Sequence, residues 1–190
     1  GGHDLIEVID DGLGMNSEDL LLSFSRHATS KIKDKDDLNN INSLGFRGEA
    51  LPSIASVSRV NALTSDGSGG YEIAIDKGKV VKREKSAINK GTNIKIKNLF
   101  YNTPARKKFL KSPSQELRNI TKIVKRFILS YPKVSFTYQA DDKIVYKFNS
   151  TSLDKRIIQL FGDSYTKNII SIDSQDGKSK ISGYIGSLNL

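Results

Sequence analysis

The 190-residue sequence has no cysteine, no tryptophan, one methionine, four prolines and two histidines. Without cysteine, neither disulfides nor thiolate metal sites hold the fold, and a reducing compartment suits the chain. His3 and His27 are far apart in sequence, which argues against a zinc site. No run approaches the roughly eighteen apolar residues of a membrane span. The opening GGHDLIEVID lacks the basic and apolar regions of a signal peptide. It also lacks a starting methionine and enters a strand almost at once, so a fragment of a longer protein is expected.

Charge is what the chain has in excess, with a formal net charge of +9. Its distribution matters more than its size. Residues 77–130 carry sixteen Lys/Arg against two acids, whereas residues 1–50 carry five against ten acids. A basic half of this kind suits a polyanion such as nucleic acid, or else a solvated lysine-rich surface. Apolar residues make up 37%, enough for a core at this length, and the length suits one domain or one and a fraction.

Period and punctuation predict a mixed α/β order. LIEVID (5–10) reads as a strand ending in the glycine turn DGLG. A helix starts at Ser17, capped by Asn16 or Ser17, with Leu20, Leu21 and Phe24 on its apolar face. Residues 27–43 read as a long loop with one short helix around 35–40. A helix follows Gly48, and Pro52 is tolerable there if it falls in the first turn. Strands are predicted at 58–64, 71–76, 79–84 and 92–98, followed by a short basic helix at TPARKKFL. Residues 114–131 have a helical period with 117, 120, 124, 127, 128 and 131 on the apolar side. SFTYQA and KIVYKF read as a hairpin about Asp141-Asp142, LDKRIIQLF as a short helix, and SKISGYIGSL as a final strand. One helical layer on one antiparallel sheet fits this order.

Five stretches carry candidate chemistry, each with a plainer alternative. In Asp10-Asp11-Gly12-Leu13-Gly14, a carboxylate at a strand end can accept from an exocyclic amine such as that of adenine. The same residues also build ordinary strand-to-helix turns. In LGFRGEAL (44–51), glycines let backbone N–H groups face an anion and Arg47 adds charge, or they simply bend a helix start. Thr29, Ser30 and Lys31 can line a phosphate, or His27 and Lys31 can be the basic end of a helix. Lys90-Gly91-Thr92 can pack on a base or merely begin a strand. Arg106, Lys107, Lys108 and Lys111, with the basic side of 114–131, can neutralise phosphates without reading sequence, or form a solvated face.

Taken together and in order, DDGLGM, RHATSK, SLGFRGEAL and KGTNIKIKNLFYNTPARKKFL closely resemble the MutL mismatch-repair family, one of the GHKL ATPases. The resemblance is strongest over residues 5–111 and extends to 190. It implies a two-layer α/β (α+β) sandwich of the Bergerat/GHKL type over residues 1–165. Residues 166–190 would then be the linker and first strands of a second, ribosomal-S5-like transducer domain. It implies ATP and Mg²⁺ as cofactors and an ATP-operated switch, in which lid ordering and N-terminal homo- or heterodimerisation engage DNA and repair partners. The expected location is cytoplasm or nucleoid in a bacterium and nucleus in a eukaryote. The resemblance gives Asp10 the adenine contact, backed by Thr92, with Gly12, Gly14 and Met15 shaping the pocket. Thr29, Ser30 and Lys31 fall in a lid near the phosphates. The backbone of Gly45, Phe46, Arg47, Gly48, Glu49, Ala50 and Leu51 wraps the triphosphate.

The family's first motif, E-x-x-x-N-x-x-D-A, supplies the general base and a Mg²⁺ ligand, and no such string occurs in this sequence. It is expected upstream of Gly1, which leaves no residue of this chain to act on water or to ligate the metal. Poor hydrolysis of ATP by the chain alone and some exposed apolar surface are then expected. Two further readings remain: a topoisomerase-type ATPase, against which the FRGEAL string argues, and a nucleic-acid-binding module with a vestigial nucleotide pocket.

Overall fold

The structure is a computed structural model that describes residues 1–26, 28, 45 and 47–188. The chain divides into two compact units, Gly2–Pro113 and Ser114–Leu190 together with Gly1. That line differs from the division at 165/166 expected from the sequence.

The first unit is built on five strands: β1 (Leu5–Asp10), β2 (Arg59–Ser65), β3 (Gly70–Asp76), β4 (Lys79–Lys85) and β5 (Gly91–Lys97). They form one antiparallel sheet in the order β1-β5-β2-β3-β4. Helices α1 (Ser17–Leu22), α2 (Ala50–Ser56) and α3 (Pro104–Lys108) complete the unit. Alternation along β2 and β3 turns Val60, Ala62, Ile73 and Ile75 to one face, where they pack with Leu20 of α1 and Ala55 of α2. Arg59, Asn61 and Leu63 occupy the other face of β2 by the same alternation. The expected helical layer on one sheet is present in this unit.

Local chemistry fixes the helix ends. Of the two candidate caps for α1, Asn16 is the one used: its side-chain oxygen accepts from the amides of Glu18 and Asp19, both at 2.9 Å. Pro52 is the third residue of α2, where its missing N–H costs nothing. The carbonyls at the end of α2 are taken up by three outside donors. The amide of Gly78 donates to Ala55, Asn102 Nδ2 to Ser56, and the amide of Phe100 to Val57. Asn98 and Phe100 adopt left-handed backbone conformations to make that loop, a costly state for a bulky Phe.

The second unit holds α4 (Pro113–Ser130), the hairpin β6 (Phe136–Ala140) and β7 (Lys143–Phe148), α5 (Leu153–Phe161), α6 (Asp163–Thr166), and the hairpin β8 (Ile169–Asp176) and β9 (Ser179–Gly186). Asp141 and Asp142 both have positive φ, as a two-residue hairpin turn demands. The α4 period is right for 117, 120, 124 and 128, but Phe127 (44% exposed) and Tyr131 lie outside and stack on each other instead. Lys125 takes a place on the inner side because its stem can lie along apolar surface while its ammonium sits over the Tyr146 and Phe161 rings. Arg156 of α5 is fully buried, donates from Nη2 to the carbonyls of Pro132, Val134 and Asn149, and lies over Phe148. Burial holds its pKa below the ordinary arginine value. Strand β8 is not among the strands that the sequence pattern predicts. Its polar second half, Asp173–Asp176, hides the alternation.

Candidate nucleotide site

Strand register brings the first and fourth candidate stretches together. Asp10 of β1 pairs with Thr92 of β5, and Thr92 pairs with Thr64 of β2. Directly paired residues project from the same face, so Asp10, Thr92 and Thr64 form one row at the end of the sheet, on the face that carries the helices. Asp10 is exposed, Thr92 is 8% exposed and Thr64 is fully buried.

Thr64 is the residue that sequence reasoning misses. Its hydroxyl donates to the Gly91 carbonyl at 2.9 Å and lies 3.2 Å from the Thr92 hydroxyl. It also accepts the Met15 amide at 3.0 Å. One buried hydroxyl therefore joins the DGLGM turn, the KGT strand start and β2. A signal for it does exist: Val60, Ala62 and Thr64 are alternate positions of one strand, which makes Thr64 the polar end of an inward-facing series.

The glycine turn lies against this row. Gly14 has φ +67, and a Cβ there would sit 1.8 Å from the Ser65 carbonyl oxygen, so only glycine fits this approach. Asp10 Oδ1 accepts the Gly12 amide at 3.0 Å. The turn interpretation of this stretch is therefore correct, and it does not exhaust the carboxylate. Oδ2 has no partner among the described residues and remains an acceptor for a ligand's amine. Leu13, 82% exposed, projects from the same turn.

The lid and loop stretches meet at one point. Gly48 has φ +64, and a Cβ on it would lie 2.2 Å from the Ala28 carbonyl oxygen. The backbone at Gly48 thus passes close to that at Ala28, with Gly48 and Ala50 leading into α2. Around Gly45 there is open space on the Cβ side. Gly45, Arg47 and Glu49 each engage other groups. His27, Thr29, Ser30, Lys31 and Phe46 lie outside the described residues, as does the short helix expected around 35–40. Arg106, Lys107, Lys108 and Lys111 are exposed on and just after α3.

The donor set fits a nucleotide base: a carboxylate with a free oxygen, two hydroxyls beside it in the row, and a glycine-shaped backbone turn against them. A metal ion is served less well. Among the described residues there is no group of three or more His, Cys, Asp or Glu that could hold one.

No family model matches the chain. Individual relatives do. It is 44% identical over 186 residues, 97% of its length, to DNA mismatch repair protein MutL of Shouchella clausii (strain KSM-K16). It is likewise 44% identical, over its whole length, to MutL of Thermoanaerobacter pseudethanolicus (strain ATCC 33223 / 39E). The chain belongs to the MutL family. It spans 28% and 32% of those two MutL proteins. Among solved structures, it aligns with the Aquifex aeolicus MutL ATPase domain complexed with ADP at a TM-score of 0.67 and 25% identity. That alignment covers 90% of this chain and 60% of that one. The N-terminal domain of a DNA repair protein aligns at a TM-score of 0.74 and 21% identity over 96% of this chain and 58% of that one, and this likeness shows the fold. The mixed α/β architecture is thus that of MutL ATPase domains.

Proposed function

We propose that the chain is the nucleotide-binding part of an ATP-hydrolysing switch in a DNA mismatch repair protein. The observation that carries this is the row Asp10–Thr92–Thr64 under the DGLGM turn. Asp10 Oδ2 accepts the exocyclic amine of adenine, and Thr92, held by Thr64, backs that contact. Gly12, Gly14 and Met15 bring the turn backbone against the base. The backbone from Gly45 to Leu51 faces the triphosphate, with Thr29, Ser30 and Lys31 of the lid beside it. The bound triphosphate supplies the bond that hydrolysis breaks, and Mg²⁺ arrives with it; the described residues offer no ligand cluster for the metal. Residues 1–165 form the ATPase core in this reading, and 166–190 begin a second domain. Nucleotide-driven ordering of the lid engages DNA, repair proteins and a second N-terminal domain, in a homodimer or a heterodimer.

Titration calorimetry with ATP and ADP tests the site. Asp10→Asn keeps an oxygen for the Gly12 amide but loses the charged acceptor, so affinity should fall on the order of tenfold or more. Unchanged affinity in a folded Asp10→Asn protein would remove the adenine assignment.

A further inference from the structure

The sheet face opposite the helices is charged, and its charge is graded along the strands. At the end away from Asp10, register places Lys97 of β5 beside Arg59 of β2, with Asp76 of β3 and Lys79 of β4 completing the row. The next row holds Lys95 and Lys82. The row nearest the nucleotide end holds Asn93, Leu63, Glu72 and Glu84 instead. With strands about 4.8 Å apart, Lys97 to Lys79 spans about 14 Å, a length over which duplex DNA presents about eight phosphate charges. Arg59, Asn61, Asp76, Lys95 and Lys97 line a shallow hollow on this face.

Two features show that the cations are held in place. Tyr101 donates to the Asp76 carboxylate and lies under both the Arg59 guanidinium, at 4.9 Å, and the Lys77 ammonium, at 5.8 Å. Tyr101 itself is set by the left-handed residues Asn98 and Phe100. The acids present are already engaged, Asp76 with Arg59 and Glu7 with Lys95. No carboxylate lies within ion-pair distance of Lys77, Lys79 or Lys97 among the described residues. By contrast, Arg106, Lys107 and Lys108 are consecutive on the short helix α3, so their side chains fan out around its axis rather than sharing a plane.

We propose that the row Lys97–Arg59–Lys79, extended by Lys77 and Lys95, is a binding surface for the phosphate backbone of duplex nucleic acid. The proposal rests on the reading of this protein as one that works on DNA, and gives that partner a surface. Because cations already cover the Tyr101 ring, contact is to phosphates and not to stacked bases, so duplexes of different sequence bind alike.

The test is fluorescence anisotropy with the full chain and a labelled duplex of about 30 base pairs across a salt series, with ADP affinity measured in parallel. Lys79→Glu/Lys97→Glu should weaken duplex binding about tenfold or more and reduce the salt slope by about 2. ADP affinity and the circular dichroism spectrum should not change. Lys107→Glu/Lys108→Glu should cost much less. If the parent chain binds duplex and the sheet variant binds it equally well, this surface is wrong while the DNA reading stands. If the parent chain fails to bind duplex but binds poly-glutamate of matched length, the surface is one for an acidic protein and the proposal falls. If it binds neither, the proposal and the DNA reading fall together, with the nucleotide site judged separately by ADP.

Discussion

Asp10, Thr92 and Thr64 form a row at one end of the five-stranded sheet, and Lys97, Arg59 and Lys79 form a row at the other end, on the opposite face. The first row is small, and its two threonines are buried and meet through one hydroxyl that also holds the Met15 amide and the Gly91 carbonyl. In the proposed reading its recognition chemistry is the Asp10 carboxylate, with backbone brought close by glycine. The second row is long-chained and solvated, and acts through charge. Substitutions should therefore fail in different ways at the two ends: by lost packing and unsatisfied polar groups at the first, by lost ligand affinity with little loss of stability at the second.

The largest effect is expected at Gly14. Gly14→Ala adds a methyl to a left-handed residue and drives it into the Ser65 carbonyl. The conformational penalty alone is about 1–2 kcal/mol, and the backbone shift should bring the total to about 3 kcal/mol or more. Urea unfolding measures it; a loss under about 1 kcal/mol would mean that the turn does not lie against β2. Thr64→Val should come next. It preserves shape but strips the Met15 amide of its acceptor and the Gly91 carbonyl of a donor, at a cost of about 1–3 kcal/mol, with weakened ADP binding. Full stability with full affinity would show that the hydroxyl does not organise the site.

Asn102→Ala sharpens the comparison from the other end of the same helix layer. Asn102 Nδ2 caps the Ser56 carbonyl of α2, and its Oδ1 is buried without a partner. Removing a cap of this kind should cost about 1 kcal/mol, less than at Gly14, because the Gly78 and Phe100 amides still hold the neighbouring carbonyls. Hydrogen exchange should rise at the end of α2 while ADP affinity changes less than twofold.

Much of the fold is legible in the amino-acid sequence alone, for reasons that particular residues make plain. Strands β2, β3 and β5 follow from alternation, and the fully exposed β4 from the two-residue turn Lys77-Gly78 that precedes it. The start of α1 follows from Asn16-Ser17 preceding two acids, although only the structure picks Asn16 as the cap. The pairing of Asp10 with Thr92 is not readable from spacing, because strand order β1-β5-β2 joins residues about eighty apart; the family resemblance supplies it. Thr64 escapes notice because a threonine inside a strand is ordinary until register shows what lies beside it. The basic half is visible as composition, yet only the sheet shows which of its lysines share a plane. In α4 the helical period places Phe127 and Tyr131 inside, whereas aromatic stacking on the outer surface and the apolar stem of Lys125 resolve that face differently.

The smallest expected effect is also the most discriminating, because stability and binding should move in opposite directions. Lys77 has φ 52 and precedes Gly78 with φ 76 in the two-residue turn between β3 and β4. A turn of this type favours Asn-Gly, since asparagine tolerates the left-handed region better than lysine does. Lys77→Asn should relieve that strain, offset in part by loss of the exposed contact over Tyr101. The net gain should be about 0.5 kcal/mol in urea unfolding. Duplex affinity should fall a few-fold at low salt as one cation leaves the basic end. A fall in both would make Lys77 a structural residue; a rise in stability with unchanged affinity would place the phosphate-binding surface elsewhere. Only opposite signs match a lysine kept in a strained position for the charge it presents.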